Sequence, residues 1–179
     1  VASTADFDPE SVDAFARQVV ELARAVAPDP FSGLPDPSLL AKDWPDLEMY
    51  DPSGLELSPE ERVARAKACE AAALSADARL VNSEGADFAL GSARVAYASS
   101  AGFAGTYRST SYSLSVAPVA TEDGAMQRDY WYDASRSLAR LADPETIGRK
   151  AAARTLRRLG ARPVATQQVP IVFDPQMAA

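Results

Sequence analysis

Six prolines lie between Pro28 and Pro52, within the stretch APDPFSGLPDPSLLAKDWPDLEMYDPSGLELS. Proline lacks a backbone N–H and has a fixed φ, so this density of prolines excludes both a continuous helix and a central strand. A connection of about thirty residues without regular structure is too long for the interior of one compact domain. We therefore predict that residues 28–57 form an extended strap without any helix longer than about two turns. Four side chains are expected to anchor it, namely Phe31, Leu34, Trp44 and Tyr50.

Three helix starts share one local pattern. The sequences DPES from Asp8, SPEE from Ser58 and DPET from Asp143 each place a capping oxygen before a proline and an acidic residue. The missing proline N–H costs nothing at the first helical position, and the carboxylate lies near the positive end of the helix dipole. Ser58 and Glu61 also have the spacing of a capping box. These signals predict three helices.

The predicted helices differ in the faces that they present. The first ends before Pro28, and an apolar stripe that is expected to face a core runs along it: Val12, Phe15, Ala16, Val19, Leu22, Ala23 and Val26. The second is rich in alanine and runs to about Asp77, so Cys69 within it is expected to be a small buried hydrophobe rather than a reactive thiol. The third ends at Gly160. Its inward residues are Ile147, Ala151, Leu156 and Leu159, and its outward cations are Arg149, Lys150, Arg154, Arg157 and Arg158.

Between residues 79 and 135 the apolar pattern changes to a period of two, which is typical of half-buried strands. Runs rich in aromatic and β-branched residues are separated at Glu84-Gly85, Gly91-Ser92, Ala101-Gly102 and Asp123-Gly124. This pattern predicts an antiparallel meander of short strands in one sheet. Because helices precede and follow it, the predicted fold class is α+β rather than α/β. The expected architecture is an antiparallel β-meander packed with flanking helices, preceded by a helix and the proline-rich strap.

The last of these runs, MQRDYWYDAS at 126–135, has two different faces. Alternation directs Arg128, Tyr130 and Tyr132 to one face and Trp131 to the other. Rigid aromatic rings beside a guanidinium group suit contact with a peptide or a partner subunit. In the alternative interpretation, Trp131 packs into the core and the Arg128 face lines a sheet that the third helix partly covers. In both cases Trp131 is expected to be more buried than either tyrosine.

The net charge of −7 argues against a nucleic-acid partner, because such affinity depends largely on cationic contacts to phosphate. No apolar run reaches the ~20 residues needed to cross a bilayer, so no membrane partner is expected. A single cysteine cannot form an internal disulfide, and a cytoplasmic location is consistent with that.

The charge is unevenly distributed along the chain. Residues 1–90 contain 7 Lys/Arg and 18 Asp/Glu, whereas residues 126–179 contain 9 Lys/Arg and 5 Asp/Glu. This asymmetry suits a contact within the chain or between subunits, although solvated faces explain it more simply.

The chain contains no histidine, which excludes Ser–His and Cys–His pairs and histidine-ligated zinc within these residues. Asp129 and Asp133 share a strand face, but four residues at about 3.3 Å each separate them by roughly 13 Å, beyond the spacing of a glycosidase carboxylate pair. Neither a glycine-rich phosphate loop nor a CxxC motif is present. The residues alone therefore favour a binding or scaffolding role, with no catalytic residue, no metal ligand and no cofactor in this chain.

Both ends of the sequence are typical of an internal fragment. Val1 is not an initiator, and VASTADFD has the pattern of a strand end that leads into a helix start. At the other end VPIVFDPQMAA predicts a short apolar strand and then a helix start at Asp174 and Pro175. We expect three regions: 1–54 as the remnant of an N-terminal domain, 55–165 as a central α+β domain, and 166–179 as the start of a truncated C-terminal domain.

Several segments, taken in order, resemble one known family. They are STADFDPE, DPFSGLPDP, MYDPSGLELSPEE, NSEGADFALGSARVAYASSAGFAGTYRSTSYSLSV, MQRDYWYDASRSL, DPETIGRKAAARTLRRLGAR and VPIVFDPQMA. The series is similar to the PmbA (TldE) branch of the TldD/PmbA family over essentially the whole chain, and NSEG and RDYWY are its most specific parts. The resemblance implies a longer protein, with further strands before this sequence and a C-terminal domain after it.

The resemblance also implies a function. Members of the family are linked to DNA gyrase modulation, to maturation of microcin and to breakdown of antitoxin peptides. A TldD-type subunit carries a zinc-binding HExxxH helix and pairs with a PmbA-type subunit, which lacks that helix. The implied role of this chain is that of a non-catalytic subunit of a heteromeric metalloprotease that helps to enclose unfolded peptides, with zinc only in a TldD-like partner.

Two alternatives stay open beside that role. The protein could itself be a metalloprotease with metal ligands after Ala179, or a regulator that binds gyrase without proteolysis. In TldD-like chains the HExxxH helix follows the strand that corresponds to VPIVF, whereas the junction from Phe173 to Ala178 resembles the PmbA version. A homo-oligomer is a further alternative for the assembly.

Overall fold

A computed structural model of the chain describes residues 1–174. These residues form two compact units. Val1–Trp44 and Ala98–Ala104 make up the first, and Pro45–Tyr97 with residues 105–174 make up the second. Most of the sheet and two of the three helices belong to the second unit.

The three predicted helices form, and each begins where its capping residue predicts. They are α1 (Pro9–Ala25), α2 (Pro59–Leu74) and α3 (Pro144–Leu156). In the first turn of each helix, backbone N–H groups donate to the side chain of Asp8, Ser58 or Asp143. Ser58 and Glu61 form the predicted capping box, in which the Ser58 N–H donates to Glu61 at 2.7 Å. Gly160 closes the turn after α3 with a φ of +66°.

The apolar stripe of α1 is not buried. No residue of α1 is buried by the part of the chain that the structure describes, and Val12, Leu22 and Val26 are exposed. The prediction that this stripe faces a core is therefore wrong for residues 1–174. An amphipathic pattern shows that a helix can bury one face, but burial also needs a second apolar surface opposite that face.

The proline-rich strap is extended, as predicted. Within residues 28–57 the helical structure consists of two single turns of 3-10 helix, Pro37–Leu39 and Pro52–Gly54. In both turns an aspartate caps the turn just before the proline. The strap therefore takes its local shape from proline and aspartate, without a regular backbone ladder.

Two of the four predicted anchors hold the strap. Trp44 packs against Phe103 with ring centroids 5.7 Å apart, and an arginine of the sheet lies 3.8 Å from the ring centroid of Tyr50. The other two, Phe31 and Leu34, are exposed, so the prediction is wrong for them. An apolar side chain acts as an anchor only where an opposing surface is present.

Within residues 1–174, four strands form one sheet. They are β1 (Leu80–Ala98), β2 (Ala104–Glu122), β3 (Ala125–Arg128) and β4 (Trp131–Ser135). β1 pairs with β2, and β2 pairs antiparallel with both β3 and β4. Together with the helices, this sheet confirms the predicted α+β class.

The predicted strand breaks are half right. The chain turns near Gly102 and at Asp123-Gly124, where both φ angles are positive, as in a type I′ hairpin. The breaks predicted at Gly85 and Gly91 are wrong, because both glycines lie inside the 19-residue β1. Glycine in a strand can relax the backbone locally without ending the strand, and Gly85 does so with a φ of +122°.

β3 and β4 are two parts of one line of pairing along β2. The register is the same in both parts, with Val119 opposite Arg128 and Val116 opposite Trp131. In that register Pro118 lies opposite Asp129 and has no N–H to donate to the ladder. The regular pairing is therefore interrupted at Asp129 and Tyr130, between the two strands.

α2 and α3 pack together against the sheet and form its core. The core cluster consists of Cys69, Ala73, Leu114, Val116, Ile147 and Ala151. Gly148 lets α3 approach the α2 backbone, since a Cβ there would lie 2.4 Å from the Cys69 carbonyl oxygen. Cys69 is fully buried, as predicted, and burial together with the charge of Glu70 raises the pKa of its thiol to about 11.

A polar network fastens the end of the strap to β2. The buried hydroxyl of Tyr112 donates to the Asp51 carbonyl at 2.6 Å and accepts from the Gly54 N–H at 3.2 Å. The Asp51 N–H donates to the hydroxyl of Thr110 at 2.9 Å, and the hydroxyl of Ser137 donates to Asp51 Oδ2 at 2.6 Å. Sequence analysis missed this network because its members are far apart in the sequence, where Ser137 follows Asp51 by 86 positions.

We expect Asp51 to make the stability of the second unit depend on pH in the acidic range. Hydrogen bonds from Ser137 and then Ser53 lower the pKa of its carboxyl to about 2. Because this folded pKa lies below the unfolded value of about 3.9, the stabilising effect is present above about pH 4 and is lost as the pH falls toward 2. Asp51→Asn should flatten this part of a urea-unfolding profile against pH. An unchanged slope in Asp51→Asn would contradict the prediction.

The strands predicted near the two ends are absent from the described residues. Residues 1–8 and 161–174 have no regular secondary structure, so the prediction of a strand in VPIVF is wrong. A strand needs hydrogen bonds to a neighbour, and no described strand pairs with these segments. The helix start predicted at Asp174 and Pro175 extends outside the described residues.

Candidate functional site

A groove of about 900 Å³ lies where the pairing of β2 with β3 and β4 is interrupted. Its lining residues come from β1, β2 and β3, from the two residues between β3 and β4, and from the turn after α3. They are Asn82, Ser83, Glu84, Ala117, Val119, Met126, Gln127, Arg128, Asp129, Tyr130 and Arg158. Two of the three predicted site residues, Arg128 and Tyr130, thus line this groove, and Tyr132 stacks on Tyr130 beside it.

Glu84 holds the guanidinium of Arg128 across the sheet. Nη1 of Arg128 lies 2.7 Å from Oε1 and 2.6 Å from Oε2 of Glu84, which joins β3 to β1 over β2. The side chains are 68% and 48% exposed, so water screens the pair and its contribution to stability is small. A carboxylate from a bound molecule can therefore compete with Glu84 at low cost.

Tyr130 and Tyr132 form an exposed aromatic surface on the same face as Arg128. Their rings stack with centroids 6.3 Å apart and an interplanar angle of 20°, and they are 56% and 46% exposed. Trp131 is more buried than either tyrosine, which confirms the predicted alternation of faces. The two rings offer a rigid amphipathic contact area that is open to solvent.

α3 covers the opposite face, at Trp131. Nζ of Lys150 lies 3.7 Å from the Trp131 ring centroid, and Cζ of Arg154 lies 5.1 Å from it. The Arg154 side chain is only 24% exposed and also lies 3.5 Å from Asp129. The prediction that Arg154 points outward is therefore wrong, because the helix pattern contains no information about a ring and a carboxylate that lie beneath it.

The two carboxylates that share a strand face have separate structural partners. Asp129 is 12% exposed and lies 3.5 Å from Arg154 and 3.6 Å from Arg158. Asp133 accepts a hydrogen bond from the Ala142 N–H at 2.8 Å, just before α3. Asp129 therefore brings Arg158 to the groove, a site residue that the sequence indicated only as one member of a basic helix face.

The α+β domain belongs to a defined class of protein. Residues 52–159 match the family described as the PmbA/TldA metallopeptidase central domain. This match covers more than half of the chain, and the chain belongs to that family.

Curated relatives place the chain in the PmbA (TldE) branch, as the sequence resemblance predicted. It is 38% identical over 177 residues to the Metalloprotease PmbA of Escherichia coli O157:H7, which covers 99% of this chain and 39% of that protein. It is 33% identical over 172 residues to the Metalloprotease PmbA homolog of Haemophilus influenzae, with 96% and 38% covered. The chain therefore spans about two fifths of the length of these relatives.

Solved structures agree with this placement. A crystal structure from Bacteroides thetaiotaomicron, described as a proposed modulator of DNA gyrase, is similar with a TM-score of 0.81 and 33% identity, over 91% of this chain and 37% of that one. TldE from Thermococcus kodakarensis is similar with a TM-score of 0.59 and 22% identity, over 87% and 34%. The second comparison supports the fold alone.

The described residues do not fit the metal of a metallopeptidase. No group of three or more His, Cys, Asp or Glu side chains within residues 1–174 is arranged to hold a metal ion, and the whole sequence lacks histidine. Its one thiol, that of Cys69, is buried in the core.

Within residues 1–174, no helix is both long and apolar enough to cross a membrane.

Proposed function

We propose that this chain is the central part of a PmbA/TldE-type subunit that acts in proteolysis without supplying the catalytic metal. It pairs with a TldD-like subunit, which holds the zinc, and it helps to enclose unfolded peptides. Family membership and 38% identity to a metalloprotease support the protease-related role. The observation that carries the proposal is the groove itself, where exposed stacked tyrosines lie beside a screened Arg128–Glu84 pair in a domain whose described residues offer no metal ligands.

The groove has the chemistry that a peptide contact needs. Tyr130 and Tyr132 provide area for apolar side chains, and the Arg128 guanidinium provides charge-assisted hydrogen bonds to a carboxylate or a carbonyl. The opposite side of the groove is formed by β1 residues, among them Ser83, whose polar groups suit hydrogen bonds to an extended backbone. These groups bind and orient, and none of them is arranged to cleave a bond.

We expect Arg128→Ala combined with Tyr130→Ala, in the full-length protein, to reduce peptide processing by the heteromer about thirty-fold. Truncation of an interface arginine or aromatic residue commonly costs about 2 kcal/mol or more, which corresponds to that factor. The measurement is a processing assay of wild-type and variant complexes, with thermal melts recorded in parallel. Retained folding is expected because both side chains are exposed.

The matched control is Arg94→Ala combined with Tyr107→Ala, the same residue types at exposed positions of β1 and β2 outside the groove. This control should leave processing unchanged, since substitution of an exposed residue without a partner usually changes the free energy by less than about 0.5 kcal/mol. If the wild-type, groove-variant and control complexes process peptide equally and have equal melting temperatures, the Arg128 face has no role in peptide processing. A collapsed melt of the groove variant would make these residues structural instead.

A metalloprotease that carries its own metal ligands is a second candidate, favoured by the names of the curated relatives. The chain spans about two fifths of those relatives, so the ligands would lie in the rest of the protein. Zinc content and activity of the full-length protein, purified without any TldD-like chain, separate the two candidates. One tightly bound zinc together with activity supports the second candidate. Absence of both bound zinc and activity supports the first.

A regulator that binds gyrase without proteolysis is a third candidate, favoured by the description of the structure from Bacteroides thetaiotaomicron. Affinity purification of the full-length protein distinguishes it. A TldD-like chain in the eluate supports the heteromer, gyrase subunits support the regulator, and a self-complex supports a homo-oligomer.

A further inference from the structure

The cations of α3 and of the residues after it form a basic ridge, defined by Arg149, Lys150, Arg154, Arg157, Arg158 and Arg162. Residues 149–162 contain no acidic residue. Two carboxylates from outside this range pair with the ridge: Glu145 with Arg149, and Asp129 with both Arg154 and Arg158. Six cations therefore meet two acids, which leaves a surplus of four positive charges on this surface.

Arg158 connects the basic ridge to the groove. Its side chain is more than half exposed and lines the groove together with Arg128 and Tyr130. Arg157 directly precedes Arg158 in the chain, and Arg162 follows it by four positions. Both are exposed and form no ion pair with any residue in the described part of the chain. Two cations whose charge is not compensated therefore lie within four residues of the arginine that lines the groove.

We infer that the groove and the basic ridge together select extended peptide segments that carry acidic side chains. This rests on the proposed function and names the class of peptide that the site takes. An apolar or aromatic residue of the peptide lies against Tyr130 and Tyr132, and neighbouring carboxylates reach Arg157, Arg158 and Arg162. Guanidinium groups suit carboxylates because their donors match both oxygens.

The charge distribution favours a peptide over a nucleic acid. The ridge is a local feature of a chain whose net charge is −7, so a dense polyanion is repelled by the rest of the surface once it extends beyond the ridge. At physiological ionic strength the ridge acts over about 8 Å, which is enough for a few carboxylates. A carboxylate has to displace Glu84 to reach Arg128, whereas Arg157 and Arg162 have no ion-pair partner within residues 1–174, so we assign most of the selectivity for acidic side chains to the ridge.

The test is fluorescence anisotropy on the full-length protein with three labelled extended peptides. The peptides share one phenylalanine and differ only in whether glutamate, glutamine or lysine fills their charged positions. We expect the glutamate peptide to bind about ten-fold more tightly than the glutamine peptide at low salt, and the difference to shrink as salt is added. The lysine peptide should bind most weakly.

Charge reversal locates the effect. Arg157→Glu combined with Arg162→Glu should weaken binding of the glutamate peptide roughly ten-fold or more and should strengthen binding of the lysine peptide, because each change replaces an attraction by a repulsion. Lys67→Glu makes the same kind of change at an exposed position of α2 and should alter neither affinity. If the double reversal lowers the melting temperature, Arg157→Gln with Arg162→Gln replaces it, and loss of the glutamate preference is again the expected result.

The outcomes separate this inference from the proposed function. Failure of all three peptides to bind overturns both. A second outcome overturns this inference alone: the peptides bind, Arg128→Ala with Tyr130→Ala weakens that binding, but the glutamate and glutamine peptides bind equally well. Tighter binding of an oligonucleotide than of the glutamate peptide overturns it in favour of a nucleic-acid site. A glutamate preference that the ridge variants abolish and Lys67→Glu retains supports it.

Discussion

Gly148→Ala should destabilise the second unit by about 3 kcal/mol, the upper end of what overpacking a core costs. A Cβ at this position would lie 2.4 Å from the Cys69 carbonyl oxygen, 2.9 Å from the Ala73 nitrogen and 2.9 Å from the Ala72 Cβ. Two of these three atoms belong to the backbone of α2, so no side-chain rotation relieves the contact. The two helices have to separate, and the apolar cluster between them and the sheet then loses packing.

Hydrogen exchange of α2 and α3, measured in the full-length protein, reports this loss locally. The matched control is Gly33→Ala in the strap, where φ is not positive and an added Cβ meets no atom within 4 Å. That control should change exchange free energies by less than about 0.5 kcal/mol. Equal exchange in Gly148→Ala and in the wild type would show that α2 and α3 are not in close contact at this point.

Tyr112→Ala should destabilise the same unit by about 4 kcal/mol, as truncation of a fully buried aromatic ring commonly does. Tyr112 is the largest fully buried side chain among the described residues, and its hydroxyl holds the strap through Asp51 and Gly54. Tyr112→Phe removes the hydroxyl alone and should cost about 1–3 kcal/mol, because it leaves the buried Gly54 N–H and the partly buried Asp51 carbonyl without this partner. The difference between the two variants separates ring packing from the polar network.

Limited proteolysis gives a second measurement. Both Tyr112 variants should speed cleavage within residues 45–57, where the strap is fastened to β2, relative to the wild type. Tyr107→Ala changes the same residue type on the same strand at an exposed position, and it should alter neither stability nor cleavage appreciably. Wild-type stability and cleavage in Tyr112→Phe would mean that the hydroxyl network does not fasten the strap.

The sequence was sufficient to predict a structural feature wherever the residues that determine the feature lie within a few positions of it. The caps at Asp8, Ser58 and Asp143 accept from N–H groups two or three residues later, so the helix starts could be predicted from single tetrapeptides. The density of prolines excluded regular structure from the strap for an equally local reason. Alternation placed Trp131 and Tyr130 on opposite faces, because side chains alternate along any strand.

The predictions that failed each needed a partner from elsewhere in the chain. The apolar stripe of α1, the side chain of Phe31 and the strand in VPIVF have the right composition for burial or pairing, but the described residues provide no matching surface. Gly85 and Gly91 could have marked turns, and pairing with β2 places both of them inside a long strand instead. Glycine suits both environments, so its local sequence does not decide between them.

The candidate site shows the same division. The sequence by itself determined that Arg128, Tyr130 and Tyr132 share one face, because that depends only on the period of a strand. Only the tertiary structure decided that Glu84, 44 positions earlier, holds Arg128, that Pro118 interrupts the pairing beside it, and that Arg158 reaches the groove from the turn after α3. Ion pairs and hydrogen bonds act over a few ångströms in space, and which distant residues come within that range is set by how helix and sheet pack.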